Sequence, residues 1–260
     1  MRILEQTPPL RVVRAFGTLV HLHNLSGGVL SGDRLSLDIE VAAGASAQIT
    51  TTGATRLYRH RAGSIDSMQK TTITVGDGAL LEYLPDAIIP YAGSRHTQTT
   101  EIALLHNATL FWWETFAPGR QAMGEKFAFE RLEITTRVFT VKTPVFLDDF
   151  TVNPREKSLD STARLGGYSH LANFYAFQTG RSPGSWRELE NLLNEFAAGA
   201  SKQTAGSSSI WGASALAADG VIVRGLSHTA RDVPATLAGA WSIARRFLTG
   251  KDGVLPRKVY

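Results

Sequence analysis

Apolar and polar side chains alternate along much of the first half of this chain. Between residues 35 and 41, leucine, isoleucine and valine occupy every second position, and serine, aspartate and glutamate lie between them. This period of two predicts a β-strand that buries one face and exposes the other. Strand-like sequence continues into the second half, where Asp219-Gly220 marks the tip of a predicted β-hairpin.

An internal repeat predicts how these strands are arranged. Three segments share an apolar pair, a turn residue, an alanine and further alternating apolar positions: Ile39–Ile49, Ile73–Tyr83 and Ile102–Trp112. Gly44, Gly78 and Asn107 occupy the equivalent turn position, which suits residues that tolerate a left-handed backbone. Chance similarity among hairpins is the alternative. Three copies favour a stack, so we expect a mainly β protein whose antiparallel strands form a single β-helix or solenoid-like domain over residues 1–260.

Two α-helices are predicted in the C-terminal half. The first runs from Ser185 to Phe196, with Ser185 as its N-cap and Glu188 completing a capping box. The second runs from Pro234 to Phe247. Apolar residues at helical spacing mark one of its faces: Val233, Leu237, Trp241, Ala244 and Leu248.

The composition narrows the class of protein. Hydrophobic residues make up 43% of the 260 residues, cysteine is absent, and the formal net charge is +4. Disulfides, iron–sulfur clusters and thiolate zinc sites are therefore excluded. The positive charge is too weak and scattered to predict nucleic-acid binding, and no apolar run reaches membrane-spanning length. Because the start of the sequence has no apolar leader, we expect a cytoplasmic protein with no nucleic-acid or membrane partner.

Glycines cluster in the segment Asn24–Leu35. It contains Gly27, Gly28 and Gly32 and ends in the pair Asp33-Arg34, where a strand is predicted to begin. Glycine is needed where φ is positive or where the backbone approaches another group closely. The segment lacks the lysine and the following helix of a phosphate-binding loop. We therefore predict a structural role for these residues.

Candidate catalytic chemistry is sparse. His21 and His23 lie two apart on a predicted strand, so both imidazoles face one side and suit nickel, zinc or copper. No third ligand is near them in the sequence, and the polar face of an ordinary strand is the alternative. The pair Asp148-Asp149 is interpreted as a solvated face, and no Gly-x-Ser-x-Gly motif is present. We expect no catalytic residues, no tightly bound cofactor and no enzyme activity.

The segment Arg56–Arg61 is basic and contains one aromatic residue. This pattern is compatible with single-stranded nucleic acid, with a cationic strand end, or with a protein partner, because arginine and tyrosine concentrate at interface hot spots. We favour the last interpretation. The predicted partner-binding residues are Arg56, Tyr58, Arg59 and Arg61.

Five segments of the chain stand out as an ordered set. They are Asn24–Leu35, Thr51–Arg59, Leu81–Asp86, Gly119–Phe127 and Leu255–Tyr260. Taken together they resemble the urease accessory protein family called UreD, or UreH in some organisms. Gly119 and Arg120 are assigned a structural role within the fourth segment. The sequence departs from the family pattern at its front, because the family usually has an additional strand-forming stretch before Pro9-Leu10 and this sequence starts close to that point.

The resemblance implies a non-catalytic scaffold with a β-helical fold. It implies binding to apo-urease and to the accessory proteins UreF and UreG, of which UreG is the GTPase, with nickel ions in transit to the urease active site. A route for a cation must attract the ion and then release it, so scattered carboxylates suit it better than a cage of soft ligands. The candidate carboxylates, chosen by their position in or beside the segments, are Asp33, Glu82, Glu114 and Glu125.

The sequence alone leaves two questions open. On the second predicted helix, Trp241 and Arg245 are candidate partner contacts, and the alternative is that the apolar face of this helix is core. Two other classes of function compete with the scaffold. One is a metal-dependent hydrolase that uses His21 and His23, and the other is a β-solenoid carbohydrate-binding protein, which exposed aromatic residues would favour.

Overall fold

A computed structural model describes residues 5–140, 143–201 and 209–256 of the chain. This part of the chain is mainly β, with fifteen strands and two α-helices. The helices are α1 Pro183–Ala200 and α2 Asp232–Thr249. The strands are β1 Leu10–Phe16, β2 Leu19–Asn24, β3 Arg34–Val41, β4 Ser46–Thr51, β5 Thr55–Leu57, β6 Ser67–Val75, β7 Leu80–Tyr83, β8 Ile88–Pro90, β9 Arg95–Leu104, β10 Thr109–Phe116, β11 Arg131–Thr140, β12 Thr143–Val152, β13 His170–Gln178, β14 Ser209–Ala215 and β15 Gly220–Ser227. Residues 257–260 of the fifth family-like segment lie outside the described ranges.

The strands form two sheets that mix parallel and antiparallel pairs. Sheet A has the order β1-β2-β4-β7-β10-β13-β15-β14, with β5 and β8 beside it, and sheet B has the order β12-β11-β9-β6-β3. The strands of the repeat pair in parallel, β2-β4-β7-β10 in sheet A and β3-β6-β9-β11 in sheet B. The expectation of antiparallel strands is therefore wrong for the repeat. The chain crosses to the opposite sheet between successive strands of one sheet, so these strands run the same way.

Three tight turns connect strands of sheet B to strands of sheet A at the positions predicted from the repeat. Gly44, Gly78 and Asn107 have φ values of 67°, 63° and 52°. The amide of Gly44 donates to the carbonyl of Asp77 at 2.8 Å, and the amide of Gly78 donates to the carbonyl of His106 at 2.8 Å. Each turn is thus bonded to the next, and the prediction of left-handed turn residues is confirmed.

The connections from sheet A back to sheet B lie at the other end of the strands and are mostly longer. They span residues 25–33, 58–66, 91–94 and 117–130. Backbone hydrogen bonds join neighbouring connections, for example from the amide of His60 to the carbonyl of Gly93 at 2.8 Å. We call the surface formed by these four connections the loop face.

Both helices cover the outer face of sheet A, where α1 lies against β14 and α2 against β13. The predicted apolar face of α2 is confirmed as core, because all five of its residues are buried. Helix α1 begins earlier than predicted. Its N-cap is Ser182, whose side chain accepts a hydrogen bond from the amide of Ser185, and Pro183 occupies the first turn, where proline is favoured. The predicted capping box of Ser185 and Glu188 is therefore wrong.

Three clusters of buried apolar side chains hold these layers together. One joins the helices to sheet A, and the other two lie between the sheets. Trp112 and Tyr175 stack within an inter-sheet cluster, with their ring centroids 4.6 Å apart. Within the described residues, neither helix combines the length and apolarity needed to cross a lipid bilayer.

Side chains of α1 cover the outer edge of sheet A at β14. Asn194 Nδ2 donates to the carbonyl of Ala213 at 3.0 Å, and its Oδ1 accepts from the amide of the same residue at 2.8 Å. Ser201 Oγ accepts from the amide of Trp211 at 2.8 Å. These contacts satisfy backbone groups that an edge strand otherwise offers to another strand.

Candidate functional site

A polar layer interrupts the apolar interior between the two sheets. In sheet B, the row that contains Ile73 and Ile102 is aliphatic. The next inward row toward the loop face contains Thr71, Thr100 and Thr136, which the strand register places side by side. All three threonines are at most 2% exposed. The period of two therefore continues through this row, but the inward side chains change from aliphatic to hydrogen-bonding.

A cavity of about 260 Å³ opens in this layer. A water molecule takes up about 30 Å³ of the liquid, so the cavity has room for a hydrated ion. Polar residues from both sheets line it, including His23, Gln69, Thr71, Gln98, Thr100 and Glu114. Gly27, Gly28 and Arg56 also line the cavity, which places the first family-like segment beside this space.

Glu114 is the acidic group that lies deepest in this region. It sits on β10, is only 7% exposed and lines the cavity. Its Oε1 atom has no hydrogen-bond partner among the described residues. Burial, and next the nearby Asp148 carboxylate, raise the pKa of Glu114 to about 8. At neutral pH this carboxyl group is therefore mostly protonated.

Polar groups continue from Glu114 toward the surface. The hydroxyl of Tyr175 lies 3.5 Å from Glu114 Oε2 and 3.3 Å from Asp148 Oδ2. Arg224 Nη2 donates to Asp148 Oδ2 at 2.7 Å and is about half exposed. The interpretation of Asp148-Asp149 as a solvated face is therefore wrong for Asp148, which faces inward, while Asp149 is exposed.

Glu82 lies on the other face of sheet A, under α2. Its Oε1 atom accepts hydrogen bonds from Trp241 Nε1 at 3.1 Å and Arg245 Nε at 2.7 Å, and its Oε2 atom accepts one from Gln48 Nε2 at 3.0 Å. Arg245 Nη1 also donates to the carbonyl of Asp252 at 2.6 Å. Both oxygens of Glu82 are occupied, so the structure does not bring this candidate to the cavity with Glu114.

The other two candidate carboxylates are also bonded within the protein. Asp33 Oδ2 accepts a hydrogen bond from the amide of Leu30 at 2.9 Å and stabilises the turn that precedes β3. Glu125 forms a salt bridge with Arg120 and accepts a hydrogen bond from the amide of Ala92 at 3.1 Å. The hydrogen bond from Arg120 holds the pKa of Glu125 below its usual value. Of the four candidates, only Glu114 lines the cavity.

The two candidate histidines do not form a metal centre. His21 is 3% exposed, and the Nδ1 atom of His23 lies 2.5 Å from Thr52 Oγ1. Within the described ranges, no group of three or more His, Cys, Asp or Glu residues is arranged to hold a metal ion. The hydrolase alternative therefore lacks its third ligand. The exposed aromatic residues that would favour the carbohydrate-binding alternative are also not seen, because the exposed large hydrophobic residues outside positions 14–16 of the described ranges include no Phe or Trp.

The predicted partner residues separate into two groups. Arg56, Arg59 and Arg61 are exposed at or beside the loop face, and Tyr58 is half-buried there with its ring edge-on to Tyr91 at 5.2 Å. This group stays a predicted partner site.

The prediction that the second group, Trp241 and Arg245 on α2, contacts a partner at the surface is wrong. Trp241 is fully buried, and the Arg245 side chain is only 15% exposed and paired with Glu82. Both residues join the helix to sheet A, because an indole and a guanidinium there supply donors to a buried carboxylate.

The glycine-rich segment owes its composition to close packing and turn geometry. A Cβ atom at Gly28 would lie 2.5 Å from the Tyr58 ring and 2.6 Å from the carbonyl oxygen of Arg56. Gly27 and Gly32 have φ values of 72° and 85°, which favour glycine. The structural role predicted for this segment agrees with these contacts.

Sequence reasoning missed the polar layer and Asp148. The signal was present, because threonine and glutamine replace aliphatic residues at inward positions of otherwise alternating strands. Asp148 was harder to recognise, since the pairing of β11 with β12 contains an irregularity between Val138 and Phe139 that shifts the register.

Comparison with known proteins places the chain in a family. The model described as UreD urease accessory protein matches residues 1–260. A urease accessory protein UreD of Herpetosiphon aurantiacus is 42% identical over 265 positions, which cover 100% of this chain and 91% of the relative. One of Cenarchaeum symbiosum is 32% identical over 251 positions, covering 93% and 85%. One of Bacillus cereus is 27% identical over 231 positions, covering 88% and 80%.

These relatives are named as accessory proteins and not as catalysts, which agrees with the expectation of a protein without enzyme activity. The resemblance seen in the five ordered segments is confirmed by the match over the whole chain. The chain belongs to the UreD family of urease accessory proteins.

Proposed function

We propose that this protein is a urease maturation factor that binds apo-urease, UreF and UreG in the cytoplasm and passes nickel ions toward the urease active site. Its membership of the UreD family supports a role in urease maturation. The observation that supports a route for the ion is the polar cavity between the sheets, which is lined by Glu114, a residue whose buried Oε1 atom has no hydrogen-bond partner in the described part of the chain. The parallel repeat and its stacked turns support the solenoid-like description of the scaffold.

The side chains of the polar layer suit the passage of a nickel ion better than its permanent binding. Carboxylate, hydroxyl and amide oxygens bind a divalent cation, whereas nickel is held more firmly by imidazole. Glu114 carries a proton at neutral pH because its pKa is raised to about 8. An arriving cation must displace this proton, which weakens binding and allows release. Asp148 and Arg224 continue the polar groups to the surface, where the pair is partly exposed.

Replacement of the interior carboxylates tests the route. We expect Glu114→Gln and Asp148→Asn to lower the nickel content and the activity of urease matured with the variant protein, while complex formation with UreF stays unchanged. Asp149→Asn is the matched control, because Asp149 neighbours Asp148 but is exposed. The route is refuted if Glu114→Gln and Asp148→Asn mature urease as well as Asp149→Asn does.

Binding to the maturation proteins needs a separate measurement. Co-purification of the tagged full chain with UreF, UreG and apo-urease is expected, and loss of all three would contradict the proposed scaffold role. Arg56, Tyr58, Arg59 and Arg61 are the proposed contact residues, because three of them are exposed and all four lie together at the loop face.

A further inference from the structure

The two ends of the parallel strands differ in a way that points to recognition at one of them. The tight turns around Gly44, Gly78 and Asn107 are short and bonded to one another. The loop face at the other end consists mostly of longer connections and carries exposed side chains. Loops held on a rigid scaffold are where binding residues concentrate. The loop face is therefore the end of the stack that is built to contact another molecule.

The loop face carries positive charge that the protein itself does not neutralise. Four exposed arginines lie at or beside it: Arg34, Arg56, Arg59 and Arg61. No ion pair involves any of them within the described parts of the chain, although Arg95, Arg120, Arg131 and Arg155 nearby are all paired with carboxylates. Three of the four donate hydrogen bonds to uncharged acceptors: Arg34 to Met68 Sδ at 2.9 Å, Arg56 to the carbonyl of Gly27 at 3.5 Å and Arg59 to the carbonyl of Ala92 at 3.4 Å. Because these acceptors carry no charge, the four arginines leave a local excess of positive charge.

Exposed apolar side chains lie among these arginines. Leu30, Ile65, Met68 and Met123 are 38%, 55%, 40% and 71% exposed. Both internal methionines of the chain therefore lie in solvent at this end. Methionine and arginine are enriched at protein interfaces, and methionine adapts its shape to a partner. This mixture of residues is more typical of a protein-binding surface than of an ordinary solvated one.

Hydrogen bonds join these groups into one continuous surface. The amide of Arg61 donates to Ser31 Oγ at 2.8 Å, and the amide of Met68 donates to the carbonyl of Asp33 at 2.8 Å. These contacts fix the second connection against the first. The Glu125 carboxylate accepts from the amide of Ala92 and so fixes the fourth connection against the third.

We infer that the loop face docks an acidic segment of a partner protein, with carboxylates against the four arginines that lack an ion pair and apolar side chains against the exposed methionines. The identity of the partner rests on the proposed function, but the chemistry of the surface does not. Single-stranded nucleic acid fits less well, because its bases need exposed aromatic rings for stacking. The exposed large hydrophobic residues of the loop face are Leu, Ile and Met residues, and they include no Phe or Trp.

Charge reversal on the loop face tests this inference. The double variant Arg59→Glu/Arg61→Glu is compared with Arg187→Glu/Lys251→Glu, which makes the same change in net charge at two exposed cationic residues away from the loop face. Binding of the full chain is measured to poly-L-glutamate, to an oligothymidine strand, and to immobilised apo-urease and UreF. Thermal melting checks that each variant folds, and Arg59→Gln/Arg61→Gln replaces the reversal variant if that variant does not.

We expect the loop-face double variant to lose about tenfold or more in affinity for poly-L-glutamate and for one of the urease proteins. Binding by the wild type should weaken as salt is added. The control double variant should lose far less. Met123→Ser should weaken binding to that urease protein but not to poly-L-glutamate.

Three outcomes would overturn the inference. One is an equal loss in both double variants, which would assign the effect to net charge. Another is tighter binding of oligothymidine than of poly-L-glutamate through the same arginines. The third is unchanged binding of the loop-face variant to every probe. If the wild type binds neither urease protein, the proposed function fails, and the poly-L-glutamate measurement still decides the chemistry of the loop face.

Discussion

Replacing Glu82 with glutamine tests whether the buried ion pair under α2 holds the helix to sheet A. The carboxylate accepts hydrogen bonds from Gln48, Trp241 and Arg245 at 3.0, 3.1 and 2.7 Å. The Arg245 side chain is only 15% exposed. The substitution leaves this cation without its counter-charge and places an amide NH₂ group among groups that are already donors.

The size of the effect follows from the burial of the pair. Removing one partner of a buried ion pair costs about 3–5 kcal/mol. Arg245 keeps hydrogen bonds to the carbonyls of Lys251 and Asp252 at 3.0 and 2.6 Å, so we expect the lower end, about 3 kcal/mol. Such a loss changes the folding equilibrium by roughly 100-fold. The double variant Glu82→Leu/Arg245→Met should be more stable than Glu82→Gln, because no unpaired buried charge is left in it.

Equilibrium unfolding in urea, followed by tryptophan fluorescence, measures this difference. Trp241 donates directly to Glu82 and reports on the site. The control is Glu101→Gln on the exposed face of sheet B, where Glu101 pairs with Lys70 and Arg137 at 3.4 Å. An exposed pair contributes at most about 1 kcal/mol. The reasoning is refuted if Glu82→Gln costs no more than Glu101→Gln.

Three further predictions concern the cavity, the sheet edge and the glycine-rich segment. Because the pKa of Glu114 is raised from 4.5 to about 8, the folded state holds a proton that the unfolded state has lost between these pH values. The wild type should therefore lose stability relative to Glu114→Gln as the pH rises through this window, and a constant difference in urea midpoints would contradict this. Asn194→Ala removes two hydrogen bonds at the β14 edge and should cost about 1–2 kcal/mol, whereas Asn191→Ala, an exposed residue of the same helix, should be nearly neutral in the same assay. Gly28→Ala should lower the melting temperature by several degrees more than Gly53→Ala, because an added Cβ atom meets nothing within 4 Å at Gly53, and equal melting temperatures would show that the segment can rearrange.

Features set by neighbouring residues could be predicted from the sequence. The left-handed turns at Gly44, Gly78 and Asn107 and the apolar face of α2 were both correctly predicted, because a turn or a helix face depends on a few adjacent positions. Whether this face of α2 is core or meets a partner stayed open. The parallel direction of the strands could not be predicted in this way. It depends on which sheet the chain enters after each turn, and alternation looks the same for either direction.

The candidate site was predicted only in part. Glu114 was named and lines the cavity, but Glu82, in the same type of strand, faces the opposite side of sheet A. One-residue differences in register decide which face a strand residue occupies, and register follows from long-range pairing. For the same reason, the inward position of Asp148 was not predicted. The division into a single domain and the residues that bind partners stay predictions.

The hydrogen bonds of Glu82 also have a consequence for the order in which the protein is made. Trp241 and Arg245, which satisfy this carboxylate, lie 159 and 163 residues further along the chain. At about 5–20 residues per second, a ribosome needs on the order of 10–30 s to reach them. Throughout that interval the outer face of β7 is exposed to water, because α2, the helix that covers it, has not yet been synthesised. Completion of this protein waits for its last helix to leave the ribosome.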